Sequence, residues 1–374
     1  MALNLVRNSR VFFTTDVNAT TGVVDIGALE SAKTFEIQVL DGFTFSQNTN
    51  QETITLNEAG AAPVRGQRSF NTSLAPVDFS MSTYMRPRRG TTNVECEESV
   101  LWAALTSADG AGWTAGAASS DAVFTGSNVH QLQKFGLIII LDNVTYVIDN
   151  CVLTQATIDF GIDAIATIAW TGQGGTLRRL STNGTATDGV GTTGTFGGGL
   201  TGSYTEKNTT APYIANKLST ATVTASGTSY QVALTGGSLT INNNVTYLIP
   251  ANLGVVNTPA TYFTGTRAIS GTMNAYLKTG ESTDTGALLA AMLGDTSNVN
   301  PKFDVQIAIG GSSNTLKVAL AMPTSMLTIP TVDVQQVVST AINFTAQGST
   351  NGTASGTYDI GASNELTVKY YAPT

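Results

Sequence analysis

Charged side chains are scarce in this chain of 374 residues: they make up 12% of the sequence, 18 of them are basic, and the formal net charge is -8. No run of Lys or Arg is long enough to form a phosphate-binding stripe. Because ordinary DNA binding neutralises phosphates with such side chains, the composition argues against that function.

Long apolar runs are also missing. The stretch "MALNLVRNSRVFF" contains no apolar segment long enough for a signal peptide, and no other stretch approaches the roughly 18 apolar residues of a membrane span. We therefore expect a chain that is made in and folds in a cytoplasm and does not insert into a membrane.

Residue types for catalysis and metal binding are few. His130 is the single histidine, no serine lies in a G-x-S-x-G elbow, and Cys96 and Cys151 have no chelating spacing. We predict no catalytic, cofactor-binding or metal-ligating residue. Cys151 in "YVIDNCVL" is interpreted as a small core residue, and a bridge to Cys96 stays open.

Two motifs carry a weaker enzymatic interpretation. "GVGTTG" (189 to 194) has the spacing of a dinucleotide-binding loop, but no apolar strand precedes it and no helix follows, which favours a linker. Asp159 and Asp163 in "IDFGID" could converge, since residues four apart share a strand face and a glycosidase needs two carboxylates. No aromatic cluster accompanies them, so turn carboxylates are the favoured interpretation.

Threonine, serine, asparagine and glycine are abundant instead, beside 41% hydrophobic residues. Threonine suits a pleated, half-buried surface, and there is too little Glu and Lys to cover the polar faces of many surface helices. The sequence therefore predicts a mainly β protein.

An internal repeat organises the chain. The stretch "FNTSLAPVDFSMSTYMR" (70 to 86) lies without gaps on "YFTGTRAISGTMNAYLK" (262 to 278), with Met81 over Met273. Four weaker matches keep the same order in both halves, which indicates a tandem duplication. They are hairpins at 35 to 45 and 230 to 241, short helices at 98 to 105 and 285 to 293, "KFGLIII" (134 to 140) with "KFDVQIA" (302 to 308), and "TIAWTGQGG" (167 to 175) with "AINFTAQGS" (341 to 349).

The duplication predicts two domains, 1 to 175 and 218 to 374, each with one short helix on its flank. Between them, residues 176 to 217 are dominated by Gly and Thr without apolar periodicity, and we interpret them as a linker or surface excursion.

Clustered charges bracket the repeated strand. "RGQR" (65 to 68) and "RPRR" (86 to 89) either dock on acidic loops of a neighbouring subunit, which we favour, or solubilise turns. Alternation within the strand places Asp78, Ser80, Ser82 and Tyr84 on one face and Val77, Phe79, Met81 and Met85 on the other, which should face the core. Asp78 is the candidate for a polar wall or interface. The docking candidates are Glu58, Arg65, Arg68, Arg86, Arg88 and Arg89.

The stretches "LNLVRNSRVFFTT", "VLDGFTFSQNTNQETITLNEAG", "RGQRSFNTSLAPVDFSMSTYMRP" and "APYIANKLSTATVTASGTSYQVALTGGSLTINNNVTYLIPANLGVVNTP" resemble bacteriophage tail tube (major tail) proteins that carry two tube domains. The resemblance spans most of the chain. It implies β-sandwich or rolled-barrel domains with a flanking helix, subunits in rings, and rings stacked around a DNA channel. It also implies that the loop at 55 to 69 reaches the neighbouring ring, with 247 to 261 as its counterpart.

Two tube domains in one chain imply rings of three chains with pseudo-sixfold symmetry, while a hexamer stays open. The expected partners are further copies of the chain and the tape-measure, tail terminator and baseplate proteins; a contractile sheath is left open. DNA would pass an acidic wall without specific binding, in a virion tail assembled in the host cytoplasm. The alternative is a phage or bacterial surface decoration or adhesin β-repeat protein, and an enzyme is the third hypothesis.

Overall fold

The computed structural model is mainly antiparallel β, with 59% strand and 7% helix, which confirms the predicted fold class. It describes residues 9–54, 68–125, 131–141, 144–180, 204–205, 210–225, 227–294, 303–311, 316–329, 331–333, 338–348 and 364–373.

The strands of the N-terminal half are β1 (Ser9–Thr14), β2 (Thr34–Ile37), β3 (Thr44–Ile54), β4 (Arg68–Tyr84), β5 (Pro87–Arg89), β6 (Val94–Cys96), β7 (Trp113–Thr114), β8 (Ser120–Thr125), β9 (Phe135–Leu141), β10 (Val144–Asp159), β11 (Thr167–Gly174) and β12 (Thr176–Arg179). Those of the C-terminal half are β13 (Thr220–Ala225), β14 (Thr228–Val232), β15 (Leu234–Asn242), β16 (Val245–Leu248), β17 (Thr261–Thr264), β18 (Ala268–Tyr276), β19 (Phe303–Ile309), β20 (Lys317–Leu327), β21 (Thr331–Asp333), β22 (Ser339–Ala346) and β23 (Asn364–Tyr371).

Two α-helices occur in the described part of the chain, α1 (Ser99–Thr106) and α2 (Thr285–Gly294), one in each half as predicted. Both are rich in Ala and Leu, which favour helix. α1 buries Leu101, Trp102 and Leu105 completely, whereas α2 buries mainly Leu288 and leaves Leu293 exposed. α1 is therefore a core element, and α2 covers its half more loosely.

Strand β10 organises the first half because it belongs to two sheets. Its N-terminal part pairs with β9 and β12, and its C-terminal part pairs with β11 and β15. β9 continues to β1 and β2, while β11 continues to β4 and β3. Apolar side chains from both sheets form one buried cluster, as in a β-sandwich.

The second half repeats these pairings in the same order. β13 pairs with β14 and β19, β19 with β20, β20 with β23 and β22, β22 with β18, and β18 with β15. A register irregularity recurs at one place in both halves: the Cys151 thiol donates to the Ile148 carbonyl at 3.3 Å, and the Ser325 hydroxyl donates to the Met322 carbonyl at 3.4 Å.

The halves are joined by two β-ladders. β10 pairs with β15, and β8 pairs with β23. The first ladder makes an eight-stranded run in the order β3, β4, β11, β10, β15, β18, β22, β20. One contiguous cluster of buried residues contains side chains of both halves, so the two share a core.

The segment predicted as a linker contributes structure at both of its ends. β12 pairs with β10, and Asn216–Leu218 form a 3₁₀ turn. Tyr204 is buried, with its ring edge-on to Phe12 at 5.0 Å. The "GVGTTG" motif lies outside the described residues.

Candidate functional site

The eight-stranded run has one buried face and one polar face. In β4, Val77, Phe79 and Met81 are buried, as the alternation predicts, whereas Asp78 is exposed and Ser80 half-buried on the opposite side.

The polar side continues across the sheet because neighbours in register are again polar. Ser80 pairs with Thr44 on β3 and Thr171 on β11, and Thr157 on β10 pairs with Thr240 on β15. We call this surface the polar face. Its members are Thr44, Ser46, Asp78, Ser80, Ser82, Gln155, Thr157, Asp159, Thr167, Ala169, Thr171, Gln173, Ser238, Thr240, Asn242, Ser270, Thr272, Asn274, Asn343 and Thr345.

Cross-strand hydrogen bonds order the side chains of the polar face. Such pairs stabilise neighbouring strands and satisfy donors that would otherwise face solvent. They join Thr44 to Ser80 at 2.8 Å, Gln173 Nε2 to Asp78 Oδ1 at 2.9 Å, Thr157 to Thr240 at 3.2 Å, and Thr272 Oγ1 to Asn343 Oδ1 at 2.7 Å.

Formal charge on the polar face comes from Asp78 and Asp159 alone, and none of its members is basic. The Asp159 side chain is exposed, and its Oδ1 accepts a hydrogen bond from the Gly161 amide at 3.3 Å. The surface therefore offers hydroxyls, amides and two carboxylates, and no cation for a phosphate.

The predicted docking residues fall into different surroundings. Glu58 and Arg65 lie outside the described residues. Arg68 is exposed at the start of β4. Arg88 forms ion pairs with Glu95 and Glu97, the second at 3.7 Å, and exposed Arg89 donates to the Ala117 carbonyl.

Arg86 requires a correction, because it is only 2% exposed. Its guanidinium donates to the Ala211 carbonyl, with Nε at 3.1 Å, and to Gln38 Oε1, and it lies over the Tyr213 ring at 4.6 Å from the centroid. A surface docking charge must be exposed. Arg86 instead ties the described end of the inter-half segment to the first half.

A buried polar cluster beneath α1 was not predicted from the sequence. Trp102 Nε1 donates to the Tyr370 hydroxyl at 2.7 Å, and that hydroxyl lies beside the Glu98 carboxylate. Glu98 also accepts a hydrogen bond from the Arg86 amide at 3.4 Å, and Glu98, Trp102 and Tyr370 are all fully buried. Burial raises the pKa of Glu98 to about 7, although the hydrogen bonds oppose that shift.

The β10–β15 junction is reinforced by two tyrosines. Tyr247 and Tyr262 pack with Val152 and Leu132, and the Tyr262 hydroxyl accepts a hydrogen bond from the Leu132 amide at 3.1 Å. The hairpin of the second half is thereby fixed on the first half.

The carboxylate pair considered for catalysis does not share a strand face. β10 ends at Asp159, and Asp163 lies in the turn beyond, with Oδ1 at 3.6 Å from Lys217 Nζ.

Cys96 and Cys151 are both free and buried, so they form no bridge, and His130 lies outside the described residues. Among the residues that the structure describes, no group of three or more His, Cys, Asp or Glu side chains could hold a metal ion. No helix in the same residues is long and apolar enough to cross a membrane.

Comparison with known proteins then identifies the class. No protein-family model matches the chain. It is 31% identical over 358 residues to the tail tube protein pb6 of Escherichia phage T5, which covers 92% of this chain and 73% of that protein. The class is that of structural proteins of a virion. The chain belongs to the family of bacteriophage tail tube proteins, and it is a component of the virion tail.

Proposed function

We propose that the chain assembles into rings that stack to form the phage tail tube, a conduit through which DNA is ejected into the host. The observation that carries this proposal is the polar face: its members lie on seven neighbouring strands and include two carboxylates and no basic side chain. A bore lined with this surface would not bind DNA phosphates. A cationic wall would instead neutralise the phosphates, release the counterions of the DNA and retain the duplex. Asp78 is the proposed bore residue.

We further propose that residues 1 to 175 and 218 to 374 are two tube domains and that three chains close a pseudo-sixfold ring. The repeated strand pairings support equivalent wedges, and the recurrence at Cys151 and Ser325 supports a common origin. A ring of six chains is the alternative. The proposed partners are further copies of the chain and the tape-measure, tail terminator and baseplate proteins, without catalytic activity.

The loops beyond the strands are proposed to join stacked rings. Exposed apolar side chains concentrate in the loop between β16 and β17, where Leu253 is fully exposed and Val255 and Val256 are more than half exposed. Such a patch on a soluble surface is typical of an interaction site. In the first half, Arg68 at the end of the corresponding loop is the described docking candidate.

Electron microscopy of the concentrated purified chain tests assembly. We expect hollow rings or tubes, and end-on class averages should show three protomers arranged with pseudo-sixfold density. Isolated elongated particles at every concentration would favour a surface decoration or adhesin protein instead.

A charge reversal tests the bore assignment. The Asp78→Lys/Asp159→Lys variant is expected to form tubes that retain short duplex DNA at low salt, because added cations neutralise phosphates. Retention should fall steeply between about 50 and 200 mM salt. It is measured by co-sedimentation of labelled DNA with the tubes.

The matched control is Asp25→Lys/Glu30→Lys, which changes charge equally at exposed positions outside the polar face. The DNA must be short enough to enter an open tube end. Equal retention by both variants would place Asp78 and Asp159 outside the bore.

A further inference from the structure

We propose that β3 of one chain pairs with the β20–β21 end of a second copy, in the same register in which β10 pairs with β15 inside the chain. The inference rests on the proposed ring assembly and adds to it the strands, the register and the contact residues of the junction between chains.

The internal junction supplies the template. β10 and β15 pair antiparallel from Gln155 with Asn242 to Asp159 with Ser238. Beside this ladder, Val152 is completely buried under Tyr247 and Tyr262 of the second hairpin.

Repeated backbone pairings identify the equivalent positions on β21. Thr331, Val332 and Asp333 pair with Ala341, Thr340 and Ser339 of β22. Thr157, Ile158 and Asp159 pair in the same order with Ala169, Ile168 and Thr167 of β11. The register of β21 therefore matches that of the C-terminal end of β10, and the two sequences, "TVD" and "TID", are nearly the same.

The same comparison relates β3 to β15. The gapless alignment of β4 with β18 places Asp78 over Ser270, and these residues pair with Ser46 of β3 and Thr240 of β15. We place β3 of one chain where β15 lies in the internal ladder, and the β20–β21 end of the other chain where β10 lies. The internal ladder then predicts the pairs between chains. They are Asp333 with Thr44, Thr331 with Ser46, and Ile329 with Asn48.

Both predicted edges are open in the described part of the chain. β3 pairs with β4 on one side, and its residues are exposed apart from half-buried Phe45 and Gln47. An exposed edge of this length is a template for strand addition. Each chain carries one β3 edge and one β20–β21 edge. Further copies of the chain can therefore pair the β3 edge of one chain with the β20–β21 edge of the next.

Exposed apolar side chains lie where the internal junction has buried or half-buried ones. Met326 and Val152 are equivalent, because each directly follows the residue at the shared register irregularity, Ser325 or Cys151. Met326 is 39% exposed, whereas Val152 is fully buried. Phe70 aligns with Tyr262 and is 53% exposed. The hairpin of the next copy would therefore cover Met326 with Phe70, as Tyr247 and Tyr262 cover Val152.

Cross-linking of assembled tubes tests the register. The Asn48→Cys/Ile329→Cys variant is expected to form disulfides between chains under mild oxidation, closing covalent rings whose size on a non-reducing gel counts the protomers. Native Cys96 and Cys151 are buried and should not interfere. The control, Thr44→Cys/Ile329→Cys, moves one thiol four residues along β3, about 13 Å, which is beyond disulfide reach. We expect at least about tenfold less cross-linking in this control.

A second variant tests burial at the edge. Met326→Asp should abolish rings, because it places a charge in the proposed contact between chains. The far-ultraviolet circular dichroism of the unassembled chain should stay unchanged, because the side chain is exposed there. Leu293→Asp is the control, at an exposed apolar position on α2, which packs against β14.

The outcomes separate this inference from the proposed function. Wild-type tubes without a cross-link between positions 48 and 329, or with equal cross-linking in the control, would overturn the edge pairing and leave the tube role standing. Rings formed by Met326→Asp as readily as by the wild type would also overturn it. Failure of the wild type to form rings or tubes would overturn the proposed function itself.

Discussion

Gly172→Ala is expected to lower the free energy of unfolding by about 3 kcal/mol, because the strand has no room for a side chain at this position. An added Cβ would lie 2.2 Å from Phe79 Cζ and 2.7 Å from the Val152 carbonyl oxygen. Gly172 pairs directly with Phe79 across β11 and β4, so the glycine makes room for the ring. Urea unfolding of the unassembled chain measures the loss.

The second half contains the same contact with the two residues exchanged. There Gly271 of β18 pairs with Phe344 of β22, and a Cβ on Gly271 would lie 2.4 Å from Phe344 Cζ. The Phe79→Gly/Gly172→Phe double variant should therefore lose less stability than the sum of its single changes, by about 2 kcal/mol or more. The milder Phe79→Leu/Gly172→Ala cycle serves if a single variant does not fold.

Phe344→Gly/Gly172→Phe is the control for this cycle. These positions lie four strands apart in the sheet, about 19 Å, so their effects should add. Additive effects in the Phe79 cycle as well would mean that the glycine is not required by the ring.

The exchange also shows that the sequence alignment of the two closing strands is shifted by two residues from their alignment in the structure. Placing "TIAWTGQGG" over "AINFTAQGS" sets Trp170 over Phe344, whereas the strand ladders set Gly172 at the position of Phe344. In the ladders Trp170 pairs with Met81, and Ile342 pairs with Met273. Aromatic residues matched by sequence are thus two places apart in the structure. A shift of two keeps the same face buried, so alternation cannot detect it.

Local patterns predicted single elements better than their pairing. The segments predicted as hairpins at 35 to 45 and 230 to 241 each contain two strands whose partners lie elsewhere: β2 pairs with β1 and β3 with β4, and β14 pairs with β13 and β15 with β18. The apolar, Ala-rich segments became α1 and α2, and the alternation in β4 separated Val77 and Phe79 from Asp78 and Ser80. These features depend on neighbours within a few residues, which a sequence displays directly.

The burial of a side chain by segments distant in the sequence could not be predicted from local patterns. Arg86 belongs to a basic cluster in the sequence, but its buried environment comes from Ala211 and Tyr213 in the inter-half segment. Glu98 precedes α1 like a solvent-exposed helix end, yet Tyr370, near the other end of the chain, covers it. Burial of a charge follows from tertiary contacts that composition and periodicity do not specify.

Glu98→Gln is expected to stabilise the chain above pH 7 and to leave its stability at pH 4.5 nearly unchanged. Burial raises the pKa of Glu98 from 4.5 to about 7, so the folded chain holds this proton more tightly than the unfolded chain does. The contribution to stability is fully present below about pH 4.5 and is lost as the pH rises through about 7, with a loss on the order of 3 kcal/mol. Glutamine keeps the shape and cannot ionise. Urea unfolding at a series of pH values measures the difference.

The pH window separates Glu98 from the other carboxylates with shifted pKa values. Hydrogen bonds from backbone amides lower the pKa of Asp109 and Asp284, so their stabilisation is lost only in more acidic solution. Burial raises the pKa of Cys96 and Tyr370 well above their usual values, which keeps both groups neutral throughout the window. Glu30→Gln, on an exposed carboxylate, is the control and should preserve the wild-type slope. If Glu98→Gln keeps the wild-type slope between pH 5 and 7 as well, the Glu98 carboxylate is not the group that titrates there. A flattened slope would assign the loss of stability to ionisation of Glu98, which lies at the start of α1 beside Tyr370 of β23 and therefore at a contact between the two halves.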